Sequence, residues 1–269
     1  MAVMPSLHVD DHPLLPALAA VGIDAEPVVW SAPADWDAYD LVVVRSCWDY
    51  TARHREFLAW AASVPRLANP APVLAWNTDK RYLAALAAAG VPVVPTTFVA
   101  PGEAYEVPAY EHVVKPTVSA GARDTVRFAV GESSREHAQA LLATGRHVMV
   151  QPYAEAVDTA GETAVLCFGG THSHAAGKAA VLVPTLPHPN QVAITPRTAS
   201  AAELAVAAQV LAAVPFDRLL YARVDLVPGP DGAPLLMELE LTEPSLFLAQ
   251  APGAAARFAA AVAAHLDAR

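Results

Sequence analysis

The chain has 269 residues, of which 54% are hydrophobic and 16% are charged, and its formal net charge at pH 7 is −10. That acidic balance disfavours nucleic acid or an anionic membrane surface as the main partner. Apolar runs stay shorter than the about 18 residues of a membrane-spanning helix, and two cysteines are too few for a disulfide framework. We therefore expect a cytoplasmic globular protein of two or three small lobes, without a signal peptide.

Residues 1–75 alternate helix and strand patterns. We predict a helix near 12–21, a strand over Glu26–Trp30 and a second strand over Asp40–Val44. The run LVVV in the second strand is uniformly apolar, as in a parallel sheet covered on both faces. Met1–Met4 barely forms a strand, which leaves open a shortened first strand. The pattern predicts a doubly wound α/β lobe.

Polar and aromatic side chains follow the second strand at its C-terminal end, where open α/β sheets bind ligands. The candidate substrate-binding residues there are Arg45, Trp48, Asp49 and Tyr50. The plain alternative is that Trp48 and Tyr50 pack against the next helix, near 53–62, while Arg45 pairs with Asp49.

Two lysines occupy positions typical of anion binders. Lys80 is predicted in the first turn of a helix ending near Ala89, where the helix N-terminus also attracts anions. Lys115 ends the apolar strand Glu111–Lys115 and precedes a small-residue loop, 116–125, whose backbone N–H groups could lie over a phosphate chain. An ordinary surface lysine and a plain turn are the alternatives.

The next segments are predicted to line a planar ring and its sugar. The strand over 147–150 is expected to break at Pro152, which would free backbone groups for hydrogen bonds to a ring. Glu162, before the strand Thr163–Phe168, could accept hydrogen bonds from ribose hydroxyls. Residues 180–200 are rich in Pro and Thr and are predicted as a long loop over the site, with Arg197 its only cation.

The stretch Tyr221–Leu241 is predicted as a β-hairpin, followed by a final helix near 253–266. Alternation along the strands places Asp225 opposite Glu238 and Arg223 opposite Glu240. A half-buried hairpin with a solvated charged face is the plain alternative. However, like charges directly opposite each other destabilise a strand pair, and one arginine cannot neutralise three carboxylates. The face therefore indicates a magnesium site shared with phosphates.

Together these features resemble the ATP-grasp ligases, an α/β fold. Lys80, Lys115, the QPY stretch before Gly161-Glu162 and the RVD…ELE hairpin occur in the family's order over about 76–250. The strings VVRSCWDY, NTDKRYL and ELELTEPSLFL are most similar to the O-ureido-serine cyclo-ligases of cycloserine biosynthesis. The resemblance implies an N-terminal α/β lobe over 1–75, a small ATP-grasp lobe over 76–150 and a C-terminal lobe with the metal site over 151–269.

The resemblance also implies roles for particular residues, with ATP and two Mg²⁺ ions as cofactors. The expected nucleotide contacts are Lys80, Lys115, Ser119, Ala120, Gly121, Gln151, Pro152, Tyr153 and Glu162. The expected metal ligands are Asp225, Glu238 and Glu240. The candidate catalytic residues are Arg223, Lys178 and Ser245, and Arg197 joins the substrate-binding candidates. Glu240 departs from the family pattern, because many relatives have Asn there, and Ala164 stands where peptide-forming relatives often have Arg.

The implied reaction is ATP-dependent carboxylate–amine ligation. A small amino-acid-like carboxylate would attack the γ-phosphate, and an amine would displace phosphate from the acyl phosphate to form an amide or close a ring. Two alternatives stay open: a RimK-like ligase that adds amino acids to a peptide or protein, and a catalytically silent nucleotide-binding protein. The resemblance also leaves open a homo-oligomer.

Overall fold

The computed structural model describes residues 7–182 and 193–268. The predicted first strand at Met1–Met4 and the central part of the predicted 180–200 loop lie outside these residues. Within them, the strands form three sheets, of two, five and four strands.

The N-terminal part is a short parallel strand pair with helices. Its elements are α1 (Leu14–Ala19), β1 (Val42–Val43), α2 (His54–Ser63) and β2 (Leu67–Ala68). β1 pairs with β2 in parallel, which confirms a strand within the predicted range Asp40–Val44, although only Val42–Val43 form it. The strand predicted at Glu26–Trp30 is wrong: this segment is irregular. Pro27 lacks a ladder donor, and the Trp30 ring packs edge-on against Phe57.

Two short helices flank Lys80, namely α3 (Ala71–Asn77) and α4 (Tyr82–Ala88). The prediction that Lys80 lies in a first helical turn is wrong, because it lies in the turn between them. Its backbone N–H donates to Thr117 O at 2.9 Å, outside either helix. The turn therefore ties Lys80 to the loop that follows Lys115.

The four-stranded sheet has the order β3-β6-β4-β5 and is antiparallel throughout. Its strands and helix are β3 (Thr97–Val99), β4 (His112–Pro116), β5 (Val126–Phe128), α5 (Arg135–Ala143) and β6 (Val148–Pro152). The predicted break at Pro152 is wrong, since Pro152 still pairs with His112. It lies beyond the residues that pair with β3, so its missing N–H is tolerated.

The five-stranded sheet has the order β11-β10-β7-β8-β9. The remaining elements are α6 (Val157–Ala160), β7 (Glu162–Phe168), β8 (Thr171–Lys178), β9 (Ile194–Arg197), α7 (Ala201–Ala213), β10 (Tyr221–Pro228), β11 (Pro234–Glu240) and α8 (Ala254–Asp267). β9 corrects the predicted 180–200 loop in part: Gly177 pairs with Thr195, so the end of that stretch is a strand.

The hairpin register is confirmed: Asp225 faces Glu238 and Arg223 faces Glu240. A bulge follows Asp225, because Leu226 pairs with Leu236 and not with the next residue in register. Bulges re-aim side chains and often lie beside functional sites.

The core joins the N-terminal part to the five-stranded sheet. Phe57 and Leu83 share one buried cluster with Val224 and Leu239. α8 packs on α1 through a second cluster that contains Leu14, Leu18, Phe258 and Val262. The four-stranded sheet contributes Met149 to the first cluster and also buries a cluster of its own, with Phe128, Leu141 and Val148. The predicted lobe boundaries, at 75 and 150, both fall inside elements, α3 and β6.

Among the described residues there is no helix with both the length and the apolar character needed to cross a membrane.

Candidate active site

Asp225 lies at the centre of the charged hairpin face. It is fully buried, and Arg223 donates to both of its oxygens, Nε to Oδ1 at 2.8 Å and Nη2 to Oδ2 at 2.9 Å. Lys178 Nζ also donates to Oδ2 at 2.7 Å. Burial alone would raise the pKa of Asp225, but the charges of Arg223 and Lys178 outweigh it and lower that pKa to about 2. Asp225 is therefore a permanent anion held by two cations.

Lys80 connects the hairpin to the small-residue loop. Its Nζ lies 3.0 Å from Glu238 Oε1 and donates to Ser119 O at 2.7 Å. Burial raises the pKa of Glu238, while Lys80 and Lys115 lower it more, and the net direction is downward. The structure thus brings together Lys80, Ser119 and Glu238, which lie far apart in the sequence.

Lys115 is the unpaired cation of the group. Across residues 7–182 and 193–268 its ammonium has neither a hydrogen bond nor an ion pair. Its pKa is lowered by burial and by the neighbouring charge of Lys80, with Glu238 opposing the shift. A partly buried ammonium without a counter-ion costs free energy, and an anionic ligand would lower that cost.

Lys178 bridges two carboxylates. Besides Asp225 it contacts Glu162 Oε2 at 2.7 Å, and the two residues are cross-strand partners in β7 and β8. Glu162, predicted to bind ribose, therefore has its carboxylate on Lys178 in this structure. Opposite charges raise the pKa of Lys178 despite its burial, so it stays protonated.

Two further glutamates carry raised pKa values. Glu240 pairs with Arg223 Nη2. Burial raises the pKa of Glu240 to about 7, with Arg223 opposing the shift and Glu238 adding to it. Glu243 is buried, and burial together with Glu240 raises its pKa to about 8. Sequence reasoning assigned no role to Glu243, although its position in ELELTEPSLFL, just after two hairpin carboxylates, is a usable signal.

The three predicted metal ligands do not form a ready-made metal site. In the described part of the chain, no three His, Cys, Asp or Glu side chains are placed to hold one ion. Each of the three is paired with a cation instead: Asp225, Glu238 and Glu240. Their donor set still fits Mg²⁺, which prefers carboxylate oxygens, and the side chains of Glu238 and Glu240 are 25% and 27% exposed.

The predicted adenine-binding residues use their side chains within the protein. Gln151 Nε2 donates to Thr96 Oγ1 at 2.9 Å. The Tyr153 hydroxyl donates to Asp158, and Arg127 lies over its ring at 3.4 Å. The predicted contacts of these residues to a ring therefore stay a prediction that would rest on their backbone groups. Ala120 and Gly121 belong to a turn in which Gly121 has a φ of 61°, beside Ser119.

The N-terminal candidates divide into two kinds. Arg45 donates to Asp11 and to Pro244 O, so its predicted alternative pairing with Asp49 is wrong. Among the described residues its Nη1 is buried without a partner. Tyr50 is buried and packs on Phe57 of α2, as the plain alternative predicts.

Other candidates take structural partners as well. The exposed Trp48 packs edge-on against His8, and Asp49 accepts from Trp30 Nε1 at 3.0 Å. Ser245 contributes its carbonyl oxygen, which accepts from Arg223 Nη1 at 3.2 Å.

Arg197 has different bonding partners from Lys80 and Lys178. It donates to Ala160 O at 3.0 Å and pairs with Glu203, which is part of the capping box of α7. Among the described residues, no hydrogen bond or ion pair joins Arg197 to Asp225, Glu238 or Glu240.

Buried polar side chains that the sequence did not reveal hold the outer edge of β11. Asn77 accepts from Leu241 N–H at 2.7 Å and donates to Leu239 O at 2.8 Å. The Tyr82 hydroxyl also bonds to both the N–H and the carbonyl of Leu239, each at 2.8 Å. β11 is the last strand of its sheet. Its unpaired backbone groups therefore need such partners, and these fix the strand that carries Glu238 and Glu240.

Comparison with known proteins identifies close relatives. Residues 1–69 match the family model for the N-terminal domain of the D-cycloserine synthetase DcsG. The cycloserine biosynthesis protein DcsG of Streptomyces lavendulae is 43% identical, with 98% of this chain and 96% of that protein covered. The crystal structure of D-cycloserine synthetase DcsG superimposes with a TM-score of 0.86 at 42% identity, over 94% of this chain and 93% of that chain.

A more distant structure shares the fold. The ATP-grasp ligase PsnB, solved with a precursor variant, Mg and ADP, has a TM-score of 0.64 at 16% identity, over 98% of this chain and 96% of that chain. These matches confirm the ATP-grasp fold predicted from the sequence.

Proposed function

Since the chain belongs to the family of the cycloserine biosynthesis protein DcsG, and is thereby an ATP-dependent ligase of the ATP-grasp fold, we propose that it activates a small amino-acid-like carboxylate as an acyl phosphate and then closes a ring. The observation that carries this proposal is Lys115, a partly buried lysine whose ammonium has no counter-ion in the described chain. It lies among Lys80, Lys178 and the carboxylates of the hairpin. A nucleotide phosphate chain is the anion that this group would accept.

The chain's own residues would act by position and charge. Lys80 and Lys115 would hold the phosphates, with the loop at Ser119 above them. Arg223 and Lys178 would stabilise the charge on the phosphoryl group as it passes to the substrate carboxylate. Both side chains are positively charged at neutral pH, because their pKa values lie well above it.

Asp225, Glu238 and Glu240 would hold Mg²⁺, which neutralises developing charge on phosphoryl oxygens. In the structure their partners are Arg223, Lys178 and Lys80. Binding of the nucleotide with its ion would exchange these ion pairs, so that the cations face phosphate and the carboxylates face the metal.

Phosphate release tests the proposal. The protein is incubated with ATP, Mg²⁺ and a panel of amino acids and ureido-amino acids that includes O-ureidoserine, and the product is identified by mass. We expect phosphate release with a ureido-amino acid and a cyclic product. Lys115→Ala should abolish release, while Arg55→Ala, which removes an exposed cation of α2, should not.

The other outcomes are equally informative. Products extended by an amino acid on a peptide would favour the RimK-like alternative. Nucleotide binding without phosphate release across the panel would favour a silent nucleotide-binding protein. Either result would overturn the ring-closing ligase.

A further inference from the structure

The segment 242–245 lies at the junction between the hairpin and the N-terminal part. It follows directly on β11. The Tyr221 hydroxyl lies 2.7 Å from Thr242 O, and Arg45 Nη2 donates to Pro244 O at 2.6 Å. Glu243 stands between these two anchored residues. Its backbone position is therefore fixed from both sides.

The carboxylate of Glu243 has no counter-ion. Its residue is 6% exposed, and within the described ranges it has neither a hydrogen bond nor an ion pair. The two cations whose charges oppose the pKa shift of Glu243 are paired elsewhere, Lys80 with Glu238 and Arg223 with Glu240. Burial and the charge of Glu240 raise the pKa of Glu243 to about 8. An incoming cation would remove this cost, whereas a phosphate or carboxylate would add to it.

Glu243 is also linked to the strand end where the sequence predicts substrate binding, because Arg45, just after β1, donates to the neighbouring Pro244 O. Its charge raises the pKa values of Cys47 and Tyr50, which lie just after β1. On the other side it interacts with Glu240 and Glu238 of the hairpin. A small molecule between these two sides would touch both the phosphate-binding group and the N-terminal part.

We propose that Glu243 binds the ammonium group of an α-amino-acid-like substrate and so directs the substrate carboxylate toward the lysine group. This inference rests on the proposed function and deepens it, because it names the residue that recognises the positive charge of the substrate. An ammonium offers three donors to a carboxylate. With the ammonium held at Glu243, the substrate's own carboxylate is left to the cations, where it must be to attack the phosphoryl group.

The test compares O-ureidoserine with its analogue that has hydrogen in place of the ammonium group. For the wild type we expect kcat/KM to be higher for O-ureidoserine. In Glu243→Gln this preference should fall by about 10- to 100-fold, mostly through KM, because a hydrogen bond to a charged group is worth about 1.5–3 kcal/mol. The KM for ATP and the Mg²⁺ dependence should not change. Glu243→Asp should recover part of the preference, and Glu136→Gln, on the exposed face of α5, serves as the matched control.

Two readouts separate this inference from the proposed function. If the wild type turns over O-ureidoserine and Glu243→Gln keeps the full preference for it, the role of Glu243 is overturned while the proposed function stands. A changed Mg²⁺ dependence in that variant makes Glu243 a metal ligand instead and likewise overturns it. If the wild type releases no phosphate, the proposed function fails. Calorimetric binding of O-ureidoserine in the presence of ADP and Mg²⁺ then decides the inference, which stands only if Glu243→Gln weakens binding.

Discussion

Lys178 Nζ lies 2.7 Å from Oδ2 of Asp225, and Arg223 binds the same carboxylate through both of its oxygens. Two cations thus hold the carboxylate that the proposed reaction assigns to Mg²⁺. The three residues come from β8 and β10, which lie on either side of β7 in the sheet. The proposed exchange of partners needs side chains to move, with the sheet left as it is.

Replacing Asp225 by Asn should strongly destabilise the protein. The change leaves the buried Arg223 without its main partner and Lys178 with Glu162 alone, and breaking a buried ion pair costs about 3–5 kcal/mol. Urea unfolding at neutral pH measures the loss. Asp231→Asn, in the exposed turn of the same hairpin, is the control. A difference between wild type and Asp225→Asn below about 1 kcal/mol would contradict the assigned pairing.

The same pair predicts a dependence on pH. The pKa of Asp225 is about 2 in the folded protein, against an ordinary value of 3.8. A lowered pKa stabilises the fold above the unfolded value, and this contribution is lost as the pH falls through the folded value. The difference in unfolding free energy between wild type and Asp225→Asn should therefore be constant above pH about 5 and shrink as the pH falls from about 4 to 2. A difference that stays constant down to pH 2 would be inconsistent with the lowered pKa.

The hairpin register could be predicted from the sequence because it depends on local rules. Alternation along a strand and a short turn place Asp225 opposite Glu238, and the structure has that pairing. The bulge after Asp225 could not be read in the same way. No glycine marks it in the stretches 224–226 and 236–238.

The cations that neutralise the hairpin could not be predicted as its partners. Lys178 comes from β8 and Lys80 from the turn after α3, and no periodicity links them to their partners on β10 and β11. Arg45 likewise binds Asp11, which lies 34 positions earlier, and not the nearby Asp49. The resemblance named most of these lysines and carboxylates but paired the carboxylates with metal, whereas the structure pairs them with the protein's own cations.

Lys115→Met should separate stability from activity. Burial and nearby cations lower the pKa of Lys115, so its charge destabilises the fold below the ordinary pKa of a lysine. Removing that charge should leave Tm unchanged or raise it, while loss of a preorganised contact should reduce phosphate release about 10²–10³-fold. Calorimetric unfolding and the phosphate assay measure the two effects. A lower Tm would indicate that Lys115 has a partner in the folded protein.

Tyr82→Phe should disturb the edge of β11 without touching a charge. The hydroxyl bonds to both backbone groups of Leu239, between Glu238 and Glu240. Its loss leaves the buried N–H of Leu239 unpaired at a cost of about 1–3 kcal/mol, while the carbonyl keeps its bond from Asn77. We expect a lower unfolding free energy and a raised KM for ATP, because the carboxylates lose their fixed position. Unchanged values for both would show that Asn77 alone fixes the strand.

Glu243→Gln should stabilise the protein in the absence of substrate, and the gain should grow with pH. The folded pKa of Glu243 is about 8, against an ordinary value of 4.5. The unfolded chain therefore releases the proton first, and stability is lost as the pH rises from 4.5 towards 8. Glutamine carries no charge and is free of this loss. Calorimetric unfolding of wild type and variant at pH 5 and pH 8 should show the larger increase in Tm at pH 8. An equal increase at both values would mean that Glu243 already has a counter-ion. Glu243→Gln would thus gain stability and lose substrate recognition. This trade-off is expected of a binding residue that has no partner in the free protein.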